Sequence, residues 1–259
     1  MLTLISCAKN MATKPLRWLD ALDLVGTTPR HQAMADMLAA QMALLSPDEI
    51  AQLLRVNAKI ATTNYARYQQ FHAEDTPELL AVAAYTGIVF KYLDAKSLDM
   101  DTWHYAQDHL RITSFLYGLL RPLDAIRAYR LEGDVQLPGV DDNVFAHWRD
   151  TLTPLFLEDL AAAGGRLCYL ASDEMHHLFH WRAIEEQAKA IYTPEFYVLE
   201  DGKLKTKVVY IKMARGTMAR YILQQRITTR EELEAFTFDG FAYNDKYSTE
   251  HRLIYTLEV

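Results

Sequence analysis

The chain has 259 residues, half of them apolar and 24% charged, with a net charge of −7; it can bury a sizeable core and is neither fibrous nor disordered in composition. No apolar run reaches the roughly 18 residues a membrane span needs, and the opening MLTLISCAKN lacks the basic start of a signal peptide. Two cysteines, Cys7 and Cys168, suit a reducing compartment, so the expectation is a cytoplasmic protein with no membrane partner.

Residues 2–6 (LTLIS) predict a short buried strand, with Ser6 and Lys9 just past its end. Residues 10–29 contain Pro15, Gly26 and Pro29 and predict a long loop, with at most one helical turn around 18–24. From Arg30 onward Met34, Met37, Leu38, Leu44 and Leu45 follow helical spacing. Ser46-Pro47-Asp48-Glu49 then starts a second helix, with Ser46 and Glu49 as a capping box. Residues 58–71 predict a third. Together, 53–71 make a candidate helix-hairpin-helix element for phosphate backbones, but no glycine is present for its turn. Thr76-Pro77-Glu78 predicts a further helix start, Tyr85-Thr86-Gly87-Ile88 a break, and Asp99 the cap of a helix to Asp108.

The stretch from His109 to Glu132 threads Arg111, Arg121, Arg127 and Arg130 through Leu, Ile, Phe and Tyr. Arginine is costly to bury unpaired, so such residues meet a carboxylate, a phosphate or a cleft. A structural reading also exists: a buried helix, a turn at Pro122, and arginines paired with Asp124 and Glu132. Residues 143–163 predict a long helix kinked at Pro154 and ended by Gly164-Gly165. Residues 166–171 (RLCYLA) predict a second buried strand, with Ser172-Asp173-Glu174 at its end. Glu174 and His177 form a Glu-x-x-His pair, the best metal candidates in the chain, although surface histidines explain them as well and no metal or other cofactor is expected.

Asp201-Gly202 between β-rich runs (192–199 and 203–212) signals a type I′ hairpin. A helix over roughly 213–227 follows, then a short helix capped by Thr229 and Glu232, and two final antiparallel strands within 236–243 and 252–257. The net acidity argues against non-specific nucleic-acid binding. However, Lys203 to Arg230 holds eight basic residues and no acid, a segregation that draws anions to one face. Helices mixed with strands, without regular alternation, predict an α+β fold: one compact domain over 1–259, helices around a sheet, with a C-terminal β-hairpin.

Five blocks in order resemble the YaaA peroxide-stress family, formerly a domain of unknown function. They are LISCAK at 4–9, YTGI at 85–88, HLRITSFLYGLLRPLDAIRAYRLE at 109–132, LASDE at 170–174, and Lys212 with Ala214-Arg215-Gly216, Met218 and Arg220. This chain departs from the pattern with Cys7 for a proline, Asn10 for a threonine, Gly133-Asp134 for Met-Gly, and Met213 for a second lysine. The resemblance implies a rounded single-domain fold that binds DNA, duplex or bubble and independent of sequence, through a basic cleft. It also implies help in limiting free iron and peroxide damage. The DNA- or anion-binding candidates are Lys9, Arg111, Arg121, Arg130, Lys212, Arg215 and Arg220. A second reading is an enzyme acting on a small anionic, nucleotide-like ligand. Its catalytic candidates are Ser6, Lys9, Glu132, Asp173 and Glu174, which gather at strand ends and turns.

Overall fold

The computed structural model describes residues 1–259 except Pro15, Asp20, Ala21 and Asp23. Leu2, Leu4 and Ile5 carry no exposed surface, and they form β1 (Leu2–Ile5), a strand covered on both faces. A continuous apolar run of this kind marks the middle of a parallel sheet. The loop after it is stitched to the body by bridges from Met11 to Tyr85 and from Thr27 to Asp124. Residues 20, 21 and 23 of the expected helical turn lie outside the described residues.

Three helices follow: α1 (Gln32–Ala43), α2 (Pro47–Leu54) and α3 (Ala58–Gln69). The capping box forms as spaced: Glu49 N–H donates to Ser46 Oγ, and Ser46 N–H donates to Glu49 Oε2 at 2.8 Å. Asn57 caps α3 through Ile60 N–H at 3.0 Å. Arg55, at φ 52°, supplies the left-handed residue between α2 and α3, so this helical hairpin turns without glycine.

The helix expected to start at Thr76 does not form there. Leu79 and Leu80 instead make β2 (Leu79–Leu80), later paired antiparallel with Ala125–Ile126, and α4 (Ala81–Ala84) begins only beyond it. Pairing with a distant partner overrides the local cap signal. α5 (Ile88–Leu93) and α6 (Met100–His109) complete this half, with Asp99 capping α6 through Thr102 N–H at 2.8 Å.

The buried-helix reading of the central segment is also corrected. Residues 110–120 are β3 (Leu110–Ser114) and β4 (Gly118–Leu120), an antiparallel pair, followed by β5 (Ala125–Ile126). β3 lies parallel to β1, with Thr3 opposite Leu110. The turn at Pro122 is pinned as the charges suggested: Asp124 accepts from Arg121 N–H at 2.7 Å and from its guanidinium at 2.9 Å.

α7 (Val144–Ala162), capped by Asn143, contains Pro154 and is followed by Gly164 and Gly165 at positive φ. β6 (Arg166–Tyr169) then pairs parallel with the other side of β1, Thr3 opposite Cys168. A 3₁₀ turn (Asp173–Leu178) and α8 (Trp181–Gln187) lead into β7 (Ala190–Glu200). Asp201 and Gly202, both at positive φ, make the expected I′ turn into β8, but β8 (Lys203–Lys205) is short. α9 (Val208–Gln225) starts about five residues before the expected boundary, with Val208 and Val209 exposed on its first turn. Their β-branching argued for strand, and the helix overrides it. Then come α10 (Arg230–Glu234), β9 (Thr237–Phe238), β10 (Phe241–Tyr243) and β11 (Arg252–Glu258), β10 and β11 antiparallel as expected. β11 also pairs parallel with β7 over seven residues.

Among the described residues the main sheet therefore runs β4-β3-β1-β6-β7-β11-β10-β9, with β8 hydrogen-bonded to β7. The fold is α+β, a single body with a mixed sheet and helices around it. Among the described residues no helix is long and apolar enough to cross a membrane.

One buried electrostatic node ties the halves together. Asp159 on α7 accepts from Arg111 Nε at 2.6 Å and from both terminal nitrogens of Arg30 at 3.0 and 2.6 Å. Arg111 is 5% exposed. Burial opposes ionisation of Asp159, but these hydrogen bonds and the two positive charges outweigh it and hold its carboxyl below the usual range. Asp159→Ala strands two guanidinium groups, one of them buried, and should cost about 3–5 kcal/mol in urea unfolding. Because the folded pKa is depressed, the stabilisation is present above the ordinary carboxylate range and fades as pH falls through the folded value. The gap between wild type and variant should therefore shrink in acid; an unchanged gap would mean the carboxylate is not the stabilising element.

Candidate functional site

β1 has β3 on one side and β6 on the other, so the chain builds first one side of β1 and then returns to build the other. In such sheets the loops at the carboxyl ends of the strands part and leave a crevice. A cleft of about 500 Å³ lies there. Its lining draws on each of the five sequence blocks: Ser6 to Lys9, Thr86 to Ile88, Tyr129 to Leu131, Leu170 with Ser172 and Glu174, and Lys212 with Arg215. Segments two hundred residues apart thus meet around one cavity.

The polar groups form two sets. In the first, Ser6 Oγ accepts from Ser172 N–H at 2.8 Å and lies 3.1 Å from Ser172 Oγ. Ser172 Oγ in turn donates to Glu174 Oε1 at 3.3 Å, and Tyr169 OH donates to Ser172 O at 2.7 Å. This set locks the ends of β1 and β6 together. In the second, Glu132 sits between two cations, 3.0 Å from Lys9 Nζ and 3.3 Å from an Arg130 terminal nitrogen. Tyr68 OH donates to Arg130 O at 2.7 Å and fixes that segment's backbone.

α9 contributes Lys212 and Arg215 to the wall. Gly216 makes this possible: a Cβ there would fall 2.2 Å from Val89 O, so only glycine lets α9 approach α5 so closely. Burial pushes the Arg215 guanidinium down, opposed by Tyr169, Asp173 and Glu195.

A second cleft of about 440 Å³ adjoins the first, sharing Lys9, Asn10, Thr86 and Arg130 with it. Its far wall is α3, which presents Lys59, Thr63 and Arg67 at spacings of four, one helical face. Among the described residues no carboxylate lines it. Burial, reinforced by Arg130, lowers the Arg67 pKa. Among the described residues the buried Nε atoms of Arg67, Arg130 and Arg215 find no hydrogen-bond partner. Buried donors are normally satisfied, so three unpaired arginine donors around adjoining clefts suit an acceptor-rich ligand.

Of the residues singled out in the sequence, Ser6, Lys9, Arg130, Glu174, Lys212 and Arg215 line the first cleft, with Glu132 bonded at its edge. Arg111, Arg121 and Arg220 do not line either cleft; they pair with Asp159, Asp124 and Asp94. Asp173 belongs to the adjacent 3₁₀ turn and is absent from the lining. His177 packs on Phe145, away from Glu174's contact with Ser172. Among the described residues no three His, Cys, Asp or Glu side chains converge as a metal site would require. Lys59 and Arg67 were missed; their spacing of eight on one helix face was the available signal.

The fold and this cleft define a class: an α+β protein with a cationic crevice at the carboxyl ends of a parallel strand trio. The family described as peroxide stress protein YaaA matches residues 1–247, and the chain belongs to that family. It is 53% identical over 256 residues to a UPF0246 protein of Bacteroides thetaiotaomicron, covering 98% of each chain. It is 42% identical to one from Porphyromonas gingivalis over the whole of both chains. A UPF0246 protein of Neisseria meningitidis is 36% identical over 98% of this chain and 97% of its own. The membership supports a role in peroxide stress.

Cys7 also lines the cleft, but burial, with a contribution from Glu174, pushes its thiol up to about 12. Since the thiolate is the reactive form, Cys7 in the native protein should resist iodoacetamide at pH 8 and react fully after unfolding in denaturant. Rapid native alkylation at that pH would contradict this environment.

Proposed function

We propose that the protein serves the peroxide-stress response in the cytoplasm by binding DNA through these adjoining clefts, and so helps limit iron-driven peroxide damage. The observation that carries the reading is the continuity of the cations. Lys212 and Arg215 in the first cleft, Lys9 and Arg130 at the junction, and Arg67 and Lys59 in the second form one path longer than a single phosphate needs. Lysine and arginine on phosphates give affinity without sequence preference. The α2–α3 hairpin adds its second helix to that path, as a phosphate-gripping hairpin would. Direct iron binding is not part of the proposal.

A second reading keeps support from the Ser6–Ser172–Glu174 set and from Glu132. Backbone binding alone does not call for carboxylates, whereas acid–base chemistry on a small nucleotide-like anion uses them.

Fluorescence anisotropy with a duplex and a bubble duplex separates the two. For about four phosphate contacts, raising salt from about 50 to about 200 mM should weaken binding on the order of a hundredfold. Lys59→Ala with Arg67→Ala should weaken it further and reduce the salt slope by about two. Affinity indifferent to salt and to both substitutions, or DNA displaced by low ATP, would move the assignment to the small-anion reading.

A further inference from the structure

The two clefts differ in chemistry as well as position. The second is polar and cationic. The first has cations on its α9 side, Lys212 and Arg215, but is apolar along much of the remaining wall: Phe90, Phe115, Leu131, Leu170 and Met175 are buried lining residues, and Ile88 stands among them. A phosphate gains nothing from that apolar part, because desolvating a charge against hydrocarbon is costly. A cavity of about 500 Å³ is sized for a small organic group, and a duplex about 20 Å wide does not enter it. Whatever part of a DNA ligand occupies the first cleft must therefore have left the stack.

We propose that the first cleft takes one unpaired nucleotide of a DNA strand with its base inward, while the flanking phosphates lie on Lys9 and Arg130 at the junction and on Lys59 and Arg67 beyond it. This deepens the DNA-binding reading and rests on it. The base is flat and largely apolar on its faces, which suits the buried wall. Its edge carries donors and acceptors, which suits the Ser6–Ser172–Glu174 set. Glu174 is exposed and lines the cleft, and among the described residues its carboxylate's one hydrogen bond is the 3.3 Å contact from Ser172. That leaves carboxylate lone pairs for base N–H groups, the pairing carboxylates make with exocyclic amines. A second phosphate in this position would instead meet Glu174's negative charge. Extruding a base costs a few kcal/mol and least where the base is already unpaired, so the geometry selects bubbles, bulges and mismatches over perfect duplex.

The test compares three DNAs of one sequence: a perfect duplex, the same duplex with one unpaired nucleotide, and that DNA with the unpaired base removed to leave its sugar and phosphate. The native protein should prefer the unpaired nucleotide over the perfect duplex by about tenfold, the size one stacked base supplies. The base-free DNA should lose that preference. Ile88→Trp, which fills the cleft, should reduce the ratio to about twofold or less. Folding of the variant is checked by thermal unfolding, and the base-free DNA decides the question without any variant. Equal affinity for all three DNAs would overturn the proposal while leaving DNA binding intact. A preference that survives base removal would overturn it too, as would a free deoxynucleoside monophosphate competing as well as the unpaired site. Absence of binding to any of the three would instead remove the underlying DNA reading.

Discussion

The two-sided parallel pairing of β1 is the constraint on which the rest of the molecule depends. Thr3 sits opposite Leu110 on one neighbour and Cys168 on the other, so the carboxyl ends of the three parallel strands lie on the same edge of the sheet. Their continuations, Ser6 to Lys9, Phe115, and Leu170, Ser172 and Glu174, open together as one wall. A strand with both backbone edges paired and both faces buried cannot slip by one residue without turning apolar side chains over. The cleft is thus a by-product of sheet register. The helices add what register cannot: α9 brings Lys212 and Arg215, and α3 brings Lys59 and Arg67.

The electrostatics of the crevice follow from how each cation is satisfied. Glu132 is nearly buried and holds Lys9 and Arg130 in place without cancelling the crevice's positive character, since Arg67, Lys59, Lys212 and Arg215 have no such partner in the ion pairs observed among the described residues. Attraction between unit charges is strong where water is excluded and weak where it is not. An anion entering here exchanges water for donors already fixed in position by the fold. The partnerless Nε atoms of Arg67, Arg130 and Arg215 carry a desolvation cost in the free protein that a ligand acceptor relieves.

Local chemistry was legible in the sequence at several single residues: Ser46, Asp99 and Thr229 cap the helices that follow them as expected, and Asp201-Gly202 makes its hairpin turn, whereas the cap signal at Thr76 starts no helix. What was not legible is pairing over distance. Leu79–Leu80 became a strand because Ala125–Ile126 was there to receive it, and residues 110–120 became strands because β1 offered an edge. The parallel alignment of β11 with β7 carries no local mark at all. Hydrophobic period cannot separate a short buried strand from a buried helical segment, and the central segment shows that ambiguity.

The same reasoning explains why the basic stretch from Lys203 to Arg230 was a partial guide to the site. Charge counted along the chain ignores where each side chain is satisfied. Lys205 and Lys207 both reach Glu200, Arg220 pairs with Asp94, and Arg230 with Glu234. Arg226 caps α9 and lies over the Tyr105 ring. Of that stretch, only Lys212 and Arg215 line the two adjoining clefts, and the cations that extend the path come from α3, where the positive charge is thinner, with Arg55, Lys59 and Arg67 spread over residues 50–73. The functional field of this protein is assembled by the sheet and the α2–α3 hairpin from residues that are sparse in sequence. A search for charge runs finds its neighbourhood, and only the topology finds its members.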